Sequence, residues 1–463
     1  MSRYLRNLRI HMVLISCLML CGCGYTTAYE PAPEEGVVSI ATLGMIPDFS
    51  YEYTEQTPHI ITDRVGYAPT GKKVAYIKGE DLSKDYTIIT STGAEVVYQG
   101  KLKKVTPDGS EESLYLGDFS DFNKHGSFRI YQQDVGYSYI FNIDDVSYNS
   151  IYNEAYNTIV KAEYSDTEAL IYTLGNLMAT ADIYPDAYSN EGFIKGGIEL
   201  LLTQQHPRTG AVYGSLQDAD TIALIEDELG RPKEATIDTE KLSSDNATIV
   251  FAGILAQYYS AHLEDEPELS VNALRAATKA YAHIESHPGS VDPVRKYYAD
   301  TELYRATGGY KYKNAIALYD TSGENVTADP NGYNYSFLGD LAYLSTGYRT
   351  DYARCEQLMA NYRDIAGSIS ISADRQHYYV QQDIEGMNGN EVLDNMMILG
   401  LVGYVLSGRE YSGIEANYLH YIFGLNDGMV NYYNEPMGQD TIPLADDPVR
   451  LSKLVFILGS GTR

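Results

Sequence analysis

Most of the residues in this chain that could take part in chemistry are carboxylates. The sequence has 463 residues, with 63 Asp and Glu but only nine His and four Cys. Two acid-rich loops, Asp218-Ala219-Asp220 and Asp329-Pro330-Asn331-Gly332, offer the oxygen ligands that calcium prefers, although such loops are more often solvated turns. We therefore predict no metal and no cofactor, and structural calcium stays an open alternative.

Several other site chemistries lack their sequence motifs. The His residues are scattered and form no His-Glu-x-x-His pattern, and no Cys-x-x-Cys zinc spacing occurs beyond the first 23 residues. No Gly-rich phosphate loop follows a predicted strand, and no Gly-x-Ser-x-Gly elbow is present. Cys355 falls in a predicted helix without an obvious partner. These absences argue against zinc hydrolase, phosphate-loop and serine hydrolase chemistry.

The N-terminus reads as an export signal. Residues 1–11 contain Arg but no acid, and residues 12–22 form an apolar run that is too short to span a bilayer. The run ends in Leu20-Cys21-Gly22-Cys23, which resembles a bacterial lipoprotein signal with Cys23 as the acylated first residue. We predict a signal peptide over 1–22 and a lipoprotein anchored on the extracellular face of the cell membrane. An ordinary signal peptide cleaved nearby, or a retained anchor, stays open.

The net charge limits the classes of partner, and the cysteine count bears on disulfide bonds. Removing residues 1–22 takes away three Arg and no acid, so the formal net charge of −29 becomes −32. Such a surface repels nucleic acid and gains nothing from an anionic membrane. We therefore predict no nucleic-acid partner and membrane contact through the lipid alone. Cys355 is the one Cys beyond residue 23, so no intrachain disulfide is expected.

Two kinds of periodicity divide the rest of the chain. Residues 23–57 are acidic and Pro-bearing, which predicts a flexible tether. Residues 58–146 alternate with period two between turn residues, which predicts an antiparallel immunoglobulin-like sandwich with strands near 74–77, 86–89, 96–98, 128–131 and 137–141.

The pattern becomes helical from residue 147 to residue 463. We predict helices at 153–162, 167–181, 191–205, 247–262, 270–286, 293–307, 335–344, 351–365, 392–407 and 413–423. The helix at 392–407 is apolar on nearly all sides, which is typical of an inner helix, whereas others are amphipathic. Inner helices that alternate with outer ones predict an all-α (α/α)6 toroid after the all-β sandwich.

Several segments resemble glycoside hydrolase family 9, the cellulase-type family whose catalytic domain often follows an immunoglobulin-like module. In the β-module they are IITDRVGY at 60–67 with KKVA at 72–75, and GDFSDF at 117–122 with GSFRI at 126–130. In the helical part they are GGIELLLTQQ at 196–205, the small-residue helix at 244–257, TELYRATGGYKY at 301–312, NGNEVLDN at 388–395 and YLHYIFGLN at 418–426. The resemblance covers residues 60–463 and implies a polysaccharide or oligosaccharide partner of the β-1,4-glucan type.

The resemblance also implies where catalytic carboxylates belong. Inverting glycosidases need one carboxylate that activates water and a second carboxyl that protonates the leaving oxygen. The family takes its base from an aspartate-alanine-glycine-aspartate turn soon after the β-module, and this chain has no such turn. Glu163 and Asp166 are the nearby acids, with helix termination and N-capping as the alternative role.

On the acid side the family has a glutamate just before its last apolar helix. Counting back from Leu454-Val455-Phe456 puts Ala445 at that position, with Asp446 and Asp447 beside it. These two aspartates are the candidate acids, and helix capping ahead of Pro448 is the alternative. The family's substrate-binding histidine-arginine segment has no counterpart after Asn426, so three parts of the usual site are altered.

Three hypotheses follow from these observations. The chain is an inverting, endo-β-1,4-glucanase-like hydrolase with an unorthodox carboxylate pair, or a non-catalytic module that binds a glycan through Tyr faces. The third is a scaffold lipoprotein of a surface polysaccharide system. Tyr is abundant, with 44 residues beside 10 Phe and no Trp. A Tyr ring suits stacking on sugars, although the same residues are also common in helix packing.

Overall fold

A computed structural model describes residues 59–105, 113–144, 147–225, 233, 242–287, 291–320, 329–406 and 409–459. The predicted signal peptide, Cys23 and the tether lie outside the described residues. The chain forms two compact units, each built from segments distant in sequence. We call residues 155–364 with 447–459 the helical unit, and residues 59–154 with 365–446 the mixed unit.

The strands of the mixed unit pair antiparallel in the order β1-β2-β5-β4-β3-β6-β7, with β8 also paired to β6. Alternate side chains point inward, among them Ile88, Ile130 and Phe128, and form an apolar core. The predicted strand at 137–141 is divided in two, because Ser138 binds Ile130 through both its backbone and its hydroxyl. The strands are β1 (Ile60–Ile61), β2 (Val74–Lys78), β3 (Asp85–Thr90), β4 (Val96–Lys104), β5 (Leu114–Asp118), β6 (Gly126–Gln132), β7 (Gly136–Tyr137) and β8 (Phe141–Ile143).

The helices follow the predicted alternation in burial. α5 and α11 are buried on nearly every side, whereas α3 and α6 bury one face and expose the other. Among the described helices none has an apolar stretch long enough to cross a membrane. The helices are α1 (Ser147–Lys161), α2 (Thr167–Ile183), α3 (Glu191–Thr203), α4 (Ala219–Ile225), α5 (Asp245–His262), α6 (Pro267–Ser286), α7 (Pro293–Thr307), α8 (Tyr310–Leu318), α9 (Tyr335–Ser345), α10 (Tyr352–Ala373), α11 (Gly389–Leu406), α12 (Arg409–Ile422) and α13 (Pro448–Gly459).

Side-chain caps explain why several helices begin where they do. Ser244 and Asn334 each accept a backbone N–H from the first turn of the helix that follows, α5 and α9 respectively. α7 has Asp292 as its cap, Pro293 in its first turn and Gly308 at its end with φ 67°. The predicted span of this helix, 293–307, is confirmed.

A buried Asp–His pair joins the start of the β-module to α12 within the mixed unit. Asp63 is 0% exposed and its Oδ2 lies 2.7 Å from Nδ1 of His420. Tyr148 donates its hydroxyl to the same carboxylate oxygen at 3.1 Å. Oδ1 of Asp63 accepts the backbone N–H groups of Val65 and Gly66, so both oxygens of the buried carboxylate have partners.

Two further bonds extend this contact. Nε2 of His420 faces the carbonyl oxygen of Lys72 at 3.1 Å, and Arg64 N–H donates to the carbonyl of Phe423 at 3.0 Å. Both nitrogens of His420 therefore face oxygen acceptors, which fixes the orientation of the ring. Two of the family-like segments, 60–67 and 418–426, meet at this point.

Tyrosine supplies much of the core. Among the described residues, ten of the twelve largest side chains with less than 2% exposure are Tyr. Many of their hydroxyls are bonded inside the core, as in Tyr298, which donates to Gln257 at 2.8 Å. Packing therefore accounts for many of the Tyr residues, and these buried rings have no free face for a sugar.

A second buried carboxylate lies in the helical unit. Asp340 on α9 accepts the hydroxyls of Tyr297 at 2.7 Å and Tyr362 at 2.8 Å. Burial raises the pKa of Asp340 to about 6, although the two hydroxyls oppose this shift. Burial likewise raises the pKa of Glu302 to about 7, against the charge of Arg305.

We expect Asp63→Asn to lower the free energy of unfolding by about 3 kcal/mol, because the variant takes away the buried carboxylate that His420 and Tyr148 share as a partner. The measurement is urea denaturation of the purified chain. Asp85→Asn is the matched control, since Asp85 pairs with Lys101 on the surface and such pairs contribute less than about 1 kcal/mol. Equal losses in the two variants would contradict the importance of the buried pair.

We also expect a pH-dependent stability from Asp340. Its pKa is higher in the folded chain than its ordinary value of 3.8, so the folded state binds more protons between those two values. Stability then falls as pH rises from about 4 to about 6, by roughly 2–3 kcal/mol. Urea denaturation across this range should show that the free energy of unfolding falls less steeply with pH in Asp340→Asn than in the unmodified chain. Glu302 contributes a fall of the same sign in both proteins. An unchanged slope would count against this assignment.

Candidate functional site

The predicted base-side acids lie at the start of α2 in the helical unit. Asp166 is the N-cap of this helix, and its Oδ1 accepts the backbone N–H of Glu168 at 2.7 Å. Both Asp166 and Glu163 are exposed. Asp166 therefore has the capping role that the sequence left open, and it keeps one carboxylate oxygen on the surface.

The predicted acid-side residues lie just before α13. Oδ1 of Asp447 accepts the backbone N–H groups of Val449 at 3.0 Å and Arg450 at 3.2 Å, and Oδ2 accepts Nε of Arg450 at 2.8 Å. These three bonds make Asp447 the cap of α13. Asp446 ends a short 3-10 turn, Leu444–Asp446, in the mixed unit and is exposed.

The structure adds a carboxylate that the sequence reasoning missed. Glu168 lies in the first turn of α2 with its side chain 14% exposed, and its Oε2 accepts Nε of Arg295 at 2.7 Å. Burial raises the pKa of Glu168, although Arg295 opposes the shift. The sequence does contain a signal for Glu168. The residue falls in the first turn of a predicted helix, just after the Asp166 cap, where the helix dipole favours an acid.

Arg295 connects Glu168 to the loop before α9. Its Nη2 lies 2.6 Å from Oδ2 of Asp329, and its guanidinium carbon lies 5.9 Å from the ring centroid of Tyr333 and 5.5 Å from that of Tyr335. The charges of Asp166, Glu168 and Asp329 all contribute to the raised pKa of Tyr333, after its burial. We call Asp166, Glu168, Arg295, Asp329 and Tyr333 the acidic mouth.

The two loops that suggested calcium use their carboxylates locally. Besides its bond to Arg295, Asp329 accepts the backbone N–H groups of Asn331 and Tyr333 through Oδ1. Asp218 accepts the N–H of Thr221 at 2.6 Å, at the start of α4. In the part of the chain that the structure describes, no group of three or more acids, His or Cys is placed to hold a metal ion.

The first half of α13 packs against α2 in the same unit. Nδ2 of Asn176 donates to the hydroxyl of Ser452 at 2.9 Å, and the ammonium of Lys453 lies 5.8 Å from the ring centroid of Tyr172. The Asp447 charge is among the causes that raise the pKa of Tyr164, after burial and against a hydrogen bond to Thr173. The start of α13 thus lies near the chain that leads into α2.

The geometry provides a candidate general base more readily than a candidate general acid. Glu168 is a partly buried carboxylate with a raised pKa, which suits a proton acceptor. A general acid must deliver a proton to the leaving oxygen, whereas Asp447 accepts three N–H groups. Asp446 is exposed and remains the other acid-side candidate.

Comparison with known families identifies both parts of the chain. The model for the cellulase N-terminal ig-like domain matches residues 55–136, and the model for glycosyl hydrolase family 9 matches residues 167–436. Glu168 lies inside the second match, whereas Glu163, Asp166, Asp446 and Asp447 lie outside it. Comparison with curated proteins finds none that matches this chain.

Solved structures of the same family share the fold. A Bacteroides ovatus GH9 protein is 16% identical, with a TM-score of 0.67 over 87% of this chain and 98% of its own. A metagenome-derived glycoside hydrolase family 9 endoglucanase is 16% identical, with a TM-score of 0.70 over 86% and 98%. AaCel9A in complex with cellobiose-like isofagomine is 16% identical, with a TM-score of 0.67 over 87% and 99%.

These comparisons confirm the predicted fold class, an immunoglobulin-like sandwich followed by an (α/α)6 helical domain. They also confirm the family resemblance, because the second family match spans more than half of the chain. Identity of 16% with the solved structures speaks for the fold alone. On the family match, this chain belongs to glycosyl hydrolase family 9.

Proposed function

We propose that this chain is an exported, lipid-anchored family 9 protein that binds a β-1,4-glucan-type polysaccharide and whose hydrolytic carboxylate pair is altered. The family membership supports a carbohydrate partner. The printed descriptions of its structural neighbours, an endoglucanase and a complex with a cellobiose-like ligand, support the type of glycan.

One observation supports the proposal that the catalytic carboxylate pair is altered. Inversion needs a protonated carboxyl on the opposite side of the bond from the base. Asp447, one of the two candidate acids beside the family's glutamate position, is bonded to two backbone N–H groups and to Arg450. Releasing it would cost α13 its cap, worth about 1 kcal/mol, and would break the ion pair with Arg450, whose side chain is 5% exposed.

The acidic mouth supports binding. Two of its three carboxylates, Glu168 and Asp329, pair with the Arg295 guanidinium, and their side chains are 14% and 21% exposed. Sugar hydroxyls are hydrogen-bond donors, and bonds to charged acceptors are stronger than neutral ones. Because ion pairs to Arg295 hold the mouth in one arrangement, little ordering is needed when a glycan binds.

Hydrolysis is the second candidate function, and the raised pKa of Glu168 favours it. In that account Glu168 takes the proton from water, and a carboxyl on the acid side protonates the leaving oxygen. The scaffold role, without sugar contact, is the third candidate. These three candidate functions predict different results when the chain is mixed with the same oligosaccharides.

We expect cellohexaose to bind the purified full chain and to remain intact after prolonged incubation, because Asp447 is held as the cap of α13. Calorimetry measures binding, and mass spectrometry detects shorter products. Glu168→Gln should weaken binding about tenfold through the loss of a charged acceptor, whereas Glu163→Gln, an exposed acid outside the mouth, should not.

Other outcomes of this experiment would replace the proposal. Products that disappear in Glu168→Gln and in an Asp446→Asn, Asp447→Asn double variant would establish a hydrolase and its two carboxylates. A folded chain that neither binds nor cleaves cellohexaose or a panel of soluble β-glucans would favour the scaffold role.

The lipid anchor has a separate test. We expect the chain produced in a bacterial host with lipoprotein processing to begin at Cys23 and to carry acyl chains, which places it in the membrane fraction. Cys23→Ala should release it into the soluble fraction, while Cys21→Ala should not. Intact mass measurement and membrane fractionation report both. An unmodified N-terminus at another residue would refute the lipoprotein assignment.

A further inference from the structure

The mixed unit has a pocket on its β-module that the family chemistry does not use. It encloses a volume of about 350 Å³ and is lined by Thr62, Arg64, Arg129, Tyr139 and Ile140. This volume lies within the range of small-molecule sites. None of these residues belongs to the acidic mouth.

Sheet register explains why this polar pocket forms. Phe128 on β6 pairs with Phe141 on β8, and both rings point into the core, with 2% and 1% exposure. Because successive side chains alternate across a strand, Arg129, next to Phe128 on β6, points to the outer face. The break between β7 and β8 leaves Tyr139 44% exposed and Ile140 48% exposed.

Arg64 approaches the same pocket from the loop after β1. Its guanidinium carbon lies 5.9 Å from the ring centroid of Tyr139, and its Nη1 donates to the carbonyl of Met429 at 3.3 Å. These two contacts hold the exposed guanidinium beside the ring, and a guanidinium has five N–H donors with which to bind further acceptors. In a chain with net charge −29, this pocket is lined by two arginines, Arg64 and Arg129, and by no acid.

We propose that this pocket binds a sugar residue bearing a carboxylate, that is, a uronate. The forked guanidinium groups of Arg64 and Arg129 match the planar carboxylate, which can accept paired hydrogen bonds. The exposed Tyr139 ring supplies a flat apolar face for the C–H side of the sugar. The combination selects a charged sugar over a neutral one and over a simple anion.

A matched pair of ligands tests this proposal on the purified full chain. Methyl β-glucuronide and methyl β-glucoside differ only by a carboxylate in place of a hydroxymethyl group. We expect the glucuronide to bind at least about tenfold more tightly, as measured by ligand-observed NMR titration. Acetate and inorganic phosphate should compete about tenfold less well than the glucuronide, since neither carries a ring to contact Tyr139.

Single variants assign the binding to the pocket. Arg64→Gln and Arg129→Gln should each weaken glucuronide binding about tenfold, and Tyr139→Ala should weaken both sugars. Arg375→Gln is the matched control, because this exposed arginine lies elsewhere in the mixed unit. Should Arg129→Gln fail to fold, Arg64→Gln still decides the matter, since its side chain is exposed.

Three results would overturn the proposal. The first is equal affinity for the glucoside and the glucuronide. The second is displacement of the glucuronide by acetate or phosphate at equal concentration, which would mark a simple anion site. The third is binding that survives in both arginine variants of a folded chain. Cellohexaose binding at the acidic mouth is measured separately, so either site can fail without the other.

Discussion

The buried carboxylate of Asp63 places the strongest constraint on the mixed unit. A carboxylate with no solvent contact must have charged or polar partners, or its burial costs several kcal/mol. His420 and Tyr148 provide them from helices far along the chain, and two backbone N–H groups complete the set. The β-module and α12 are therefore held together by one satisfied polar network, with Tyr67 packed against His420.

The helical unit solves the same problem in a different way. Its core contains many Tyr, so hydroxyl groups lie among the apolar side chains and need acceptors. Asp340 serves two of them, and Gln257 serves a third. Arg295, at the N-terminal end of α7, pairs with Glu168 in the first turn of α2 and with Asp329 in the loop before α9. The residues that form the acidic mouth thus also hold these elements together, which fixes their geometry before any ligand arrives.

Much of the fold could be predicted from the sequence, and the site could be predicted only in part. Helix spans such as 293–307 follow from a local cap, a Pro and a C-terminal Gly, and local signals of this kind are readable in the sequence. The Glu168–Arg295–Asp329 contact joins segments more than 30 residues apart, so no local pattern reveals it. The choice between capping and catalysis at Asp447 depends on the position of Arg450, which only the folded helix sets.

The central claim is that the chain holds a β-glucan at the acidic mouth without completing a catalytic pair. A crystal structure of the full chain soaked with cellohexaose tests it most directly. Our account predicts an intact oligosaccharide whose hydroxyls donate to Glu168 and Asp329, with Asp447 still bonded to Arg450. A cleaved sugar beside Glu168, with Asp447 released from Arg450 to face the leaving oxygen, would contradict it.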